Sequence, residues 1–209
     1  DGRLVQFLLG DVLGDGGQWD MAVSVYMKYG LVPKEVMPES EASTNSRPMN
    51  ARLRAVLHIG ALRLREAIAA GASAEEVDTQ RRKILADVWK ILVVCLGEPP
   101  VRFNWQWRDD EGNFHRDGEI TPHEFYERHV GVDLSEYICL VDDPRPENPK
   151  GSMETVEHLG NVVGGRPIRY LNAPVEEIKR IAAAQIAAGE AVWFGADVSQ
   201  PYDRGLGFF

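Results

Sequence analysis

Three observations predict an α+β chain. Apolar residues recur at spacings of three and four in long stretches before residue 97, and again between 174 and 188. From residue 101 to 107 the pattern switches to alternation of apolar and polar residues. Glycine and proline clusters stand at each change of period, where the backbone must leave one regular conformation for another.

In chain order, Gly14-Asp15-Gly16-Gly17 reads as a turn, with Asp15 placed to cap a helix that carries Trp19, Ala22, Val23, Tyr26 and Met27 on one stripe and stops at Gly30. The polar run from Glu39 to Pro48 reads as a loop. A second amphipathic helix carries Leu53, Val56, Leu57, Gly60, Leu64 and Ile68, and Gly71-Ala72-Ser73 breaks it. Ser73 and Glu76 have the spacing of a capping box, opening a third helix that buries Ile84, Val88, Trp89 and Leu92 and ends at Gly97, before Pro99-Pro100. Val101, Phe103, Trp105 and Trp107 alternate with polar residues into an Asp109–Asn113 turn and a returning strand, a β-hairpin.

Thr121-Pro122-His123-Glu124 combines a capping threonine, proline at the first helical position and glutamate at the third, so a short helix starts there. Tyr137 to Val141 reads as a short buried strand, and Pro144 to Lys150 as a proline-rich loop. A strand near Ile168–Leu171 leads into a helix from Pro174 to Ala188 with Val175, Ile178, Ile181 and Ile186 inward. Ala191 to Val198 is apolar enough for a central strand. The expected organisation is a loop-and-helix segment over 1–48, a helical insertion over 49–100, a hairpin and short-helix insertion over 101–160, and a helix-and-strand segment over 161–209.

Bulk properties exclude several classes. With 209 residues, the chain can bury a sizeable core, and 44% hydrophobic and 26% charged residues are ordinary for a globular protein. A formal charge of -9 and the lack of a Lys/Arg cluster disfavour a nucleic-acid partner. The longest apolar runs, such as Ile91–Leu96, are too short to span a bilayer, and no signal-peptide pattern opens the chain. Cys95 and Cys139 sit in apolar runs and make no disulfide framework, which suits a reducing cytoplasm and buried, unreactive thiols. Of the five histidines, His123 and His129 are six apart on one short helix and face different ways, and His58, His115 and His158 have no convergent ligands, so no metal site is expected. Solvated or locally bonded imidazoles are expected instead. Trp105 and Trp107 share a face of the hairpin, where core packing is favoured over an aromatic binding platform.

The most specific stretch is Asp15-Gly16-Gly17-Gln18-Trp19-Asp20-Met21-Ala22. Alone it fits a plain helix-entry turn. Together with Asn161–Arg166, Lys28–Lys34, Ile120–Tyr126, Ile138–Pro146 and Glu190–Val198, all in collinear order, it resembles the aminopeptidase C / bleomycin hydrolase family of papain-like cysteine peptidases. The resemblance covers essentially the whole chain. It implies part of a papain-like fold with a large helical insertion, and a cysteine aminopeptidase acting on peptides without metal or cofactor. Family members form hexameric barrels with inward-facing active sites, so a homo-oligomer is implied for the parent.

Papain-like enzymes place Gly-Gly, four variable residues and alanine at the mouth of the cleft, and Gly16, Gly17 and Ala22 keep that spacing. By resemblance Gly17 binds the extended substrate backbone and Gly16 shapes the turn, since a Cβ would obstruct close approach. Gly195 and Ala196 lie where such folds supply small residues to the specificity-pocket wall, although a strand packed closely beneath a helix explains them equally well.

The family's nucleophilic Cys-Trp, its Thr-His-Ala-Met base and its Glu-Asn-Ser-Trp-Gly orienting motif do not occur in this sequence. A thiolate, an imidazolium and oxyanion donors are all required for the chemistry. The chain therefore reads as the middle of a cysteine aminopeptidase, inactive and poorly self-sufficient by itself, with no catalytic residue of its own. The alternative is a non-catalytic interaction module of the same fold that presents the helical pair.

Overall fold

The computed structural model describes residues 2–10, 12–14 and 16–195. The chain forms two compact units, Asp1–Tyr137 with Val156–Ile168, and Ile138–Thr155 with Arg169–Phe209. Among the described residues no helix is long and apolar enough to cross a membrane.

The first unit opens with helix α1 (Gly2–Gly10) and helix α2 (Trp19–Tyr29). Asp15 lies outside the described residues. The N-cap of α2 is Gln18, which makes no side-chain cap bond. Its end is as expected. Gly30 adopts φ +75, donates to the Tyr26 carbonyl, and lies so close to the next segment that a Cβ would sit 2.3 Å from the Pro122 carbonyl carbon. Only glycine fits that conformation and that gap.

The run from Glu39 to Pro48 is not the loop its polarity suggested. Ser40 and Ser43 cap each other reciprocally to start α3 (Glu41–Thr44), and α4 (Arg47–Ala69) begins soon after with proline in its first turn. The capping box is as local as any, but serine in the third position is a weaker sequence signal than glutamate.

Helices α4 and α5 (Ala74–Leu96) pack as an antiparallel pair, α5 opened by the Ser73–Glu76 capping box and closed at Gly97. Gly60 is buried against Ile84, with room for no Cβ: one would stand 2.8 Å from the Ile84 Cδ1 and Cγ2 atoms. Trp89 is not buried but 48% exposed. At about 100° per residue it lies about 140° around α5 from Ile84, off the stripe that faces α4.

Strands β1 (Phe103–Arg108) and β2 (Phe114–Ile120) form the antiparallel hairpin, pairing Phe103 with Ile120 and Trp107 with His115, with a bulge after Trp105. Phe103 and Ile120 are buried. Helix α6 (Pro122–His129) comes next, carrying the Thr121–Glu124 capping box. Trp105 and Trp107 stack at 6.0 Å between centroids, and Phe125 and His129 of α6 meet them edge-on. The tryptophans thus pack the hairpin onto α6.

The second unit is a three-stranded sheet in the order β3 (Cys139–Val141), β5 (Tyr170–Asn172), β4 (Met153–Glu154). β3 runs parallel to β5 and β4 antiparallel to it. Asn172 is fully buried and holds the proline-rich loop: its amide donates to the Asp143 and Asn148 carbonyls, and its side-chain oxygen accepts from Asp143 N and Lys150 Nζ. Asp143 is held well below the usual carboxylate range, first by Arg145 and then by Asn148.

Helix α7 (Val175–Ala187) packs on β3 with Ile178 and Ile181 half-buried. Val175 and Ile186, expected inward, are exposed. A 13-residue helix is about 20 Å long and a three-residue strand about 10 Å, so the helix ends overhang the sheet. Of the strand expected over 191–198, residues 196–198 lie outside the described residues, and 191–195 carry no regular secondary structure, with Trp193 and Phe194 67% and 82% exposed. A strand needs a ladder alongside it, and none of the five described strands pairs with this segment.

Candidate functional site

Gly16 and Gly17 lie together on the exposed approach to α2. Neither is among the left-handed glycines, and a Cβ on either would meet nothing within 4 Å among the described residues. Backbone conformation and internal packing therefore do not call for glycine at these positions. Gly195 belongs to the second unit, and among the described residues nothing lies within 4 Å of a Cβ built there. Ala196 lies outside the described residues.

The helix on the C-terminal side of the glycine pair is tightly held. Asp20, in the first turn of α2, is 1% exposed, and Arg166 places its Nε 3.0 Å from the Asp20 carboxylate. A carboxylate there also suits the positive end of the helix dipole. One turn on, the buried Ser24 hydroxyl accepts from the Arg166 backbone N–H at 3.2 Å. The Arg166 guanidinium also donates to the Ser135 carbonyl at 3.3 Å. Asn161 donates to the Met21 carbonyl at 3.2 Å, and Lys28 to that of Val163 at 3.3 Å, so residues 161–166 lie along α2. Gly165 is required for that contact, because a Cβ would come 3.0 Å from both Ser24 Oγ and the Val162 oxygen. Ser24, Met27, Lys28 and residues 162–166 border an open concavity of about 340 Å³.

The segment before the glycines is held as well. Arg54 of α4 donates to the Leu13 carbonyl at 2.6 Å, and His58, one turn later, bonds the Leu9 carbonyl at 2.9 Å.

Asp20, Ser24 and Arg54 were given no role by the sequence, and His58 was expected only as a solvated or locally bonded imidazole. The signal for the first two was an aspartate and a serine four apart on the helix after the glycines, with the arginine of Gly164-Gly165-Arg166 as partner. Arg54 and His58 share a helix face at the same spacing, but nothing local names the carbonyls they reach.

Cys95 and Cys139 are half-buried and in no disulfide. His115 bonds Asp109 at 2.7 Å, His129 bonds Asp117 at 2.8 Å, and His123 bonds the Lys28 carbonyl at 3.1 Å. Hydrogen bonding from His115, then from Asn113, lowers the Asp109 carboxyl to about 2. No group of three or more His, Cys, Asp or Glu among the described residues could hold a metal ion.

The Peptidase C1-like family model matches residues 1–209. The chain is 46% identical to bleomycin hydrolase of Gallus gallus over 99% of its length, and 45% identical to aminopeptidase C of Streptococcus thermophilus over 98%. It superimposes with a TM-score of 0.93 and 44% identity on PepW from Lactobacillus rhamnosis, covering 98% of this chain. In each case it spans 46% of the other protein, about half the length of the curated relatives it matches.

Proposed function

Because this chain belongs to the Peptidase C1-like family, we propose that it serves as the substrate-loop portion of a cysteine-type aminopeptidase that removes N-terminal residues from peptides. The observation that carries the reading is the glycine pair. Gly16 and Gly17 are exposed, are not among the left-handed glycines, and among the described residues have no contact that excludes a Cβ. An extended peptide laid along the loop supplies the missing reason, because a Cβ would hold its amide and carbonyl groups out of hydrogen-bond range. Gly17 binds that backbone, Gly16 shapes the loop, and Gly195 and Ala196 line the specificity pocket.

The chemistry needs groups outside this sequence. A cysteine thiolate attacks the carbonyl carbon of the first peptide bond, and backbone N–H groups stabilise the tetrahedral oxyanion. An imidazolium then protonates the departing amine, leaving the substrate's N-terminal residue as a thioester. Water, deprotonated by the same imidazole, attacks the thioester and releases the amino acid and the thiolate. The parent is proposed to be cytoplasmic and hexameric, with no metal or cofactor in the reaction.

The second reading, a non-catalytic interaction module, is favoured by one feature. Leu62 of α4 and Leu85 and Trp89 of α5 leave apolar surface on the helical pair open to a partner. Hydrolysis of an aminoacyl anilide by the intact protein that carries this chain decides between the two. Thiol-dependent, chelator-insensitive release supports the peptidase. Metal-dependent, thiol-independent release refutes it, and no release leaves the module.

A further inference from the structure

We propose that Arg54 and Arg166 are positioning residues that set the Gly16–Gly17 loop from its two sides, Arg54 through the Leu13 carbonyl and Arg166 through Asp20. The inference rests on the reading of that loop as substrate-binding. Leu13 stands three residues before Gly16, and Asp20 three residues after Gly17. Each is held by a charge-assisted bond, 2.6 Å from Arg54 to Leu13 and 3.0 Å from Arg166 to Asp20. Such bonds are about twice as strong as neutral ones. His58 adds a second tie one turn along α4, at the Leu9 carbonyl.

The glycine content explains why such anchoring is needed. Gly14, Gly16 and Gly17 fall within four residues, and glycine loses more backbone freedom on ordering than any other residue. A loop that had to be ordered by each arriving peptide would spend binding energy on its own conformation. Fixing both flanks limits the backbone between them before substrate arrives. This gives the α4–α5 insertion a role in the site: α4 is the platform from which the loop is held, although none of its side chains needs to touch the peptide. On the other flank, the 161–166 segment acts on the loop through the helix it braces. Arg166 is committed there by three contacts, to Asp20, Ser24 and the Ser135 carbonyl.

The test compares Arg54→Ala, Arg54→Lys and Arg166→Lys in the intact protein. Amide hydrogen exchange is read over residues 14–18, and steady-state kinetics on an aminoacyl anilide are normalised to titrated thiol. Losing one such bond is expected to speed exchange over 14–18 by about 3-fold or more, with α5 amides unchanged, and to raise KM about 3- to 10-fold with kcat within about twofold. Arg54→Lys, which keeps a donor, is expected to recover most of both effects. Should Arg54→Ala fail to fold, Arg54→Met, which keeps the aliphatic stem and loses the donor, takes its place in the comparison. Unchanged exchange over 14–18 in a variant that has lost the Arg54 donor overturns the proposal. So does acceleration spread evenly through α4 and α5, or a fall in kcat with KM fixed, both of which mark ordinary destabilisation. A parent without aminopeptidase activity refutes the proposed function instead, and the exchange data alone then decide the positioning.

Discussion

Replacing Gly60 by alanine sets two effects of similar size against each other. Alanine in place of glycine within a helix is worth about 1 kcal/mol in backbone propensity. The new Cβ, however, would stand 2.8 Å from the Ile84 Cδ1 and Cγ2 atoms and 3.0 Å from Cγ1. Carbon atoms in good contact are about 3.5–4.0 Å apart, so the overlap approaches an ångström. Ile84 cannot swing clear cheaply, because a β-branched side chain in a helix has one favoured χ1 and all three atoms face the glycine. Overpacking of this kind costs about 1–3 kcal/mol. The net expectation is a loss of about 1 kcal/mol, seen as a lower urea midpoint at unchanged m-value in unfolding followed by circular dichroism. A double-mutant cycle isolates the cause. In an Ile84→Ala background the overlap is gone, so Gly60→Ala should now stabilise, with a coupling of about 1 kcal/mol or more between the two sites. Equal stabilisation by Gly60→Ala in both backgrounds would refute the close contact between α4 and α5.

Two further outcomes depend on single contacts. Gly30→Ala meets the Pro122 backbone rather than a movable side chain and forces a left-handed φ on alanine, so a loss of about 3 kcal/mol or more is expected from denaturant unfolding; a loss under about 1 kcal/mol would contradict the geometry. Asp109 has its carboxyl lowered to about 2, chiefly by the His115 hydrogen bond, so its stabilising contribution is complete above the unfolded value of about 3.9 and is lost as pH falls through about 2. Asp109→Asn should therefore flatten the fall in hairpin stability between about pH 4 and pH 2, measured by tryptophan fluorescence. An unaltered pH profile would show that the Asp109–His115 bond contributes nothing to stability.

Local grammar was the legible part of this fold. The Ser73–Glu76 and Thr121–Glu124 capping boxes, the helix ends at Gly30 and Gly97, and the alternation from Phe103 to Trp107 all depend on residues within a few positions of one another. The glycine pair was legible as a motif for the same reason. The braces around it were not. Arg166 and Asp20 are far apart in sequence, and an aspartate on a helix reads as surface until its partner is placed. Helical spacing also names a stripe without saying how much of it a neighbour covers, which is why Trp89, Val175 and Ile186 are exposed. Strand β4, two residues long, is too short to show any period. For residues 191–195, apolar content suggested a strand, but a strand is defined by its neighbours and not by its own composition.

The most direct test of the central claim is steady-state kinetics of Gly17→Val in the intact protein on an aminoacyl anilide. A Cβ at this position meets nothing within 4 Å among the described residues, so folding should be unaffected and only an approaching peptide obstructed. Loss of one or two backbone hydrogen bonds predicts a rise in KM of about 10-fold or more, with unfolding midpoint and thiol titre unchanged. Wild-type KM in a folded Gly17→Val variant would contradict the account, placing the substrate somewhere other than the glycine loop.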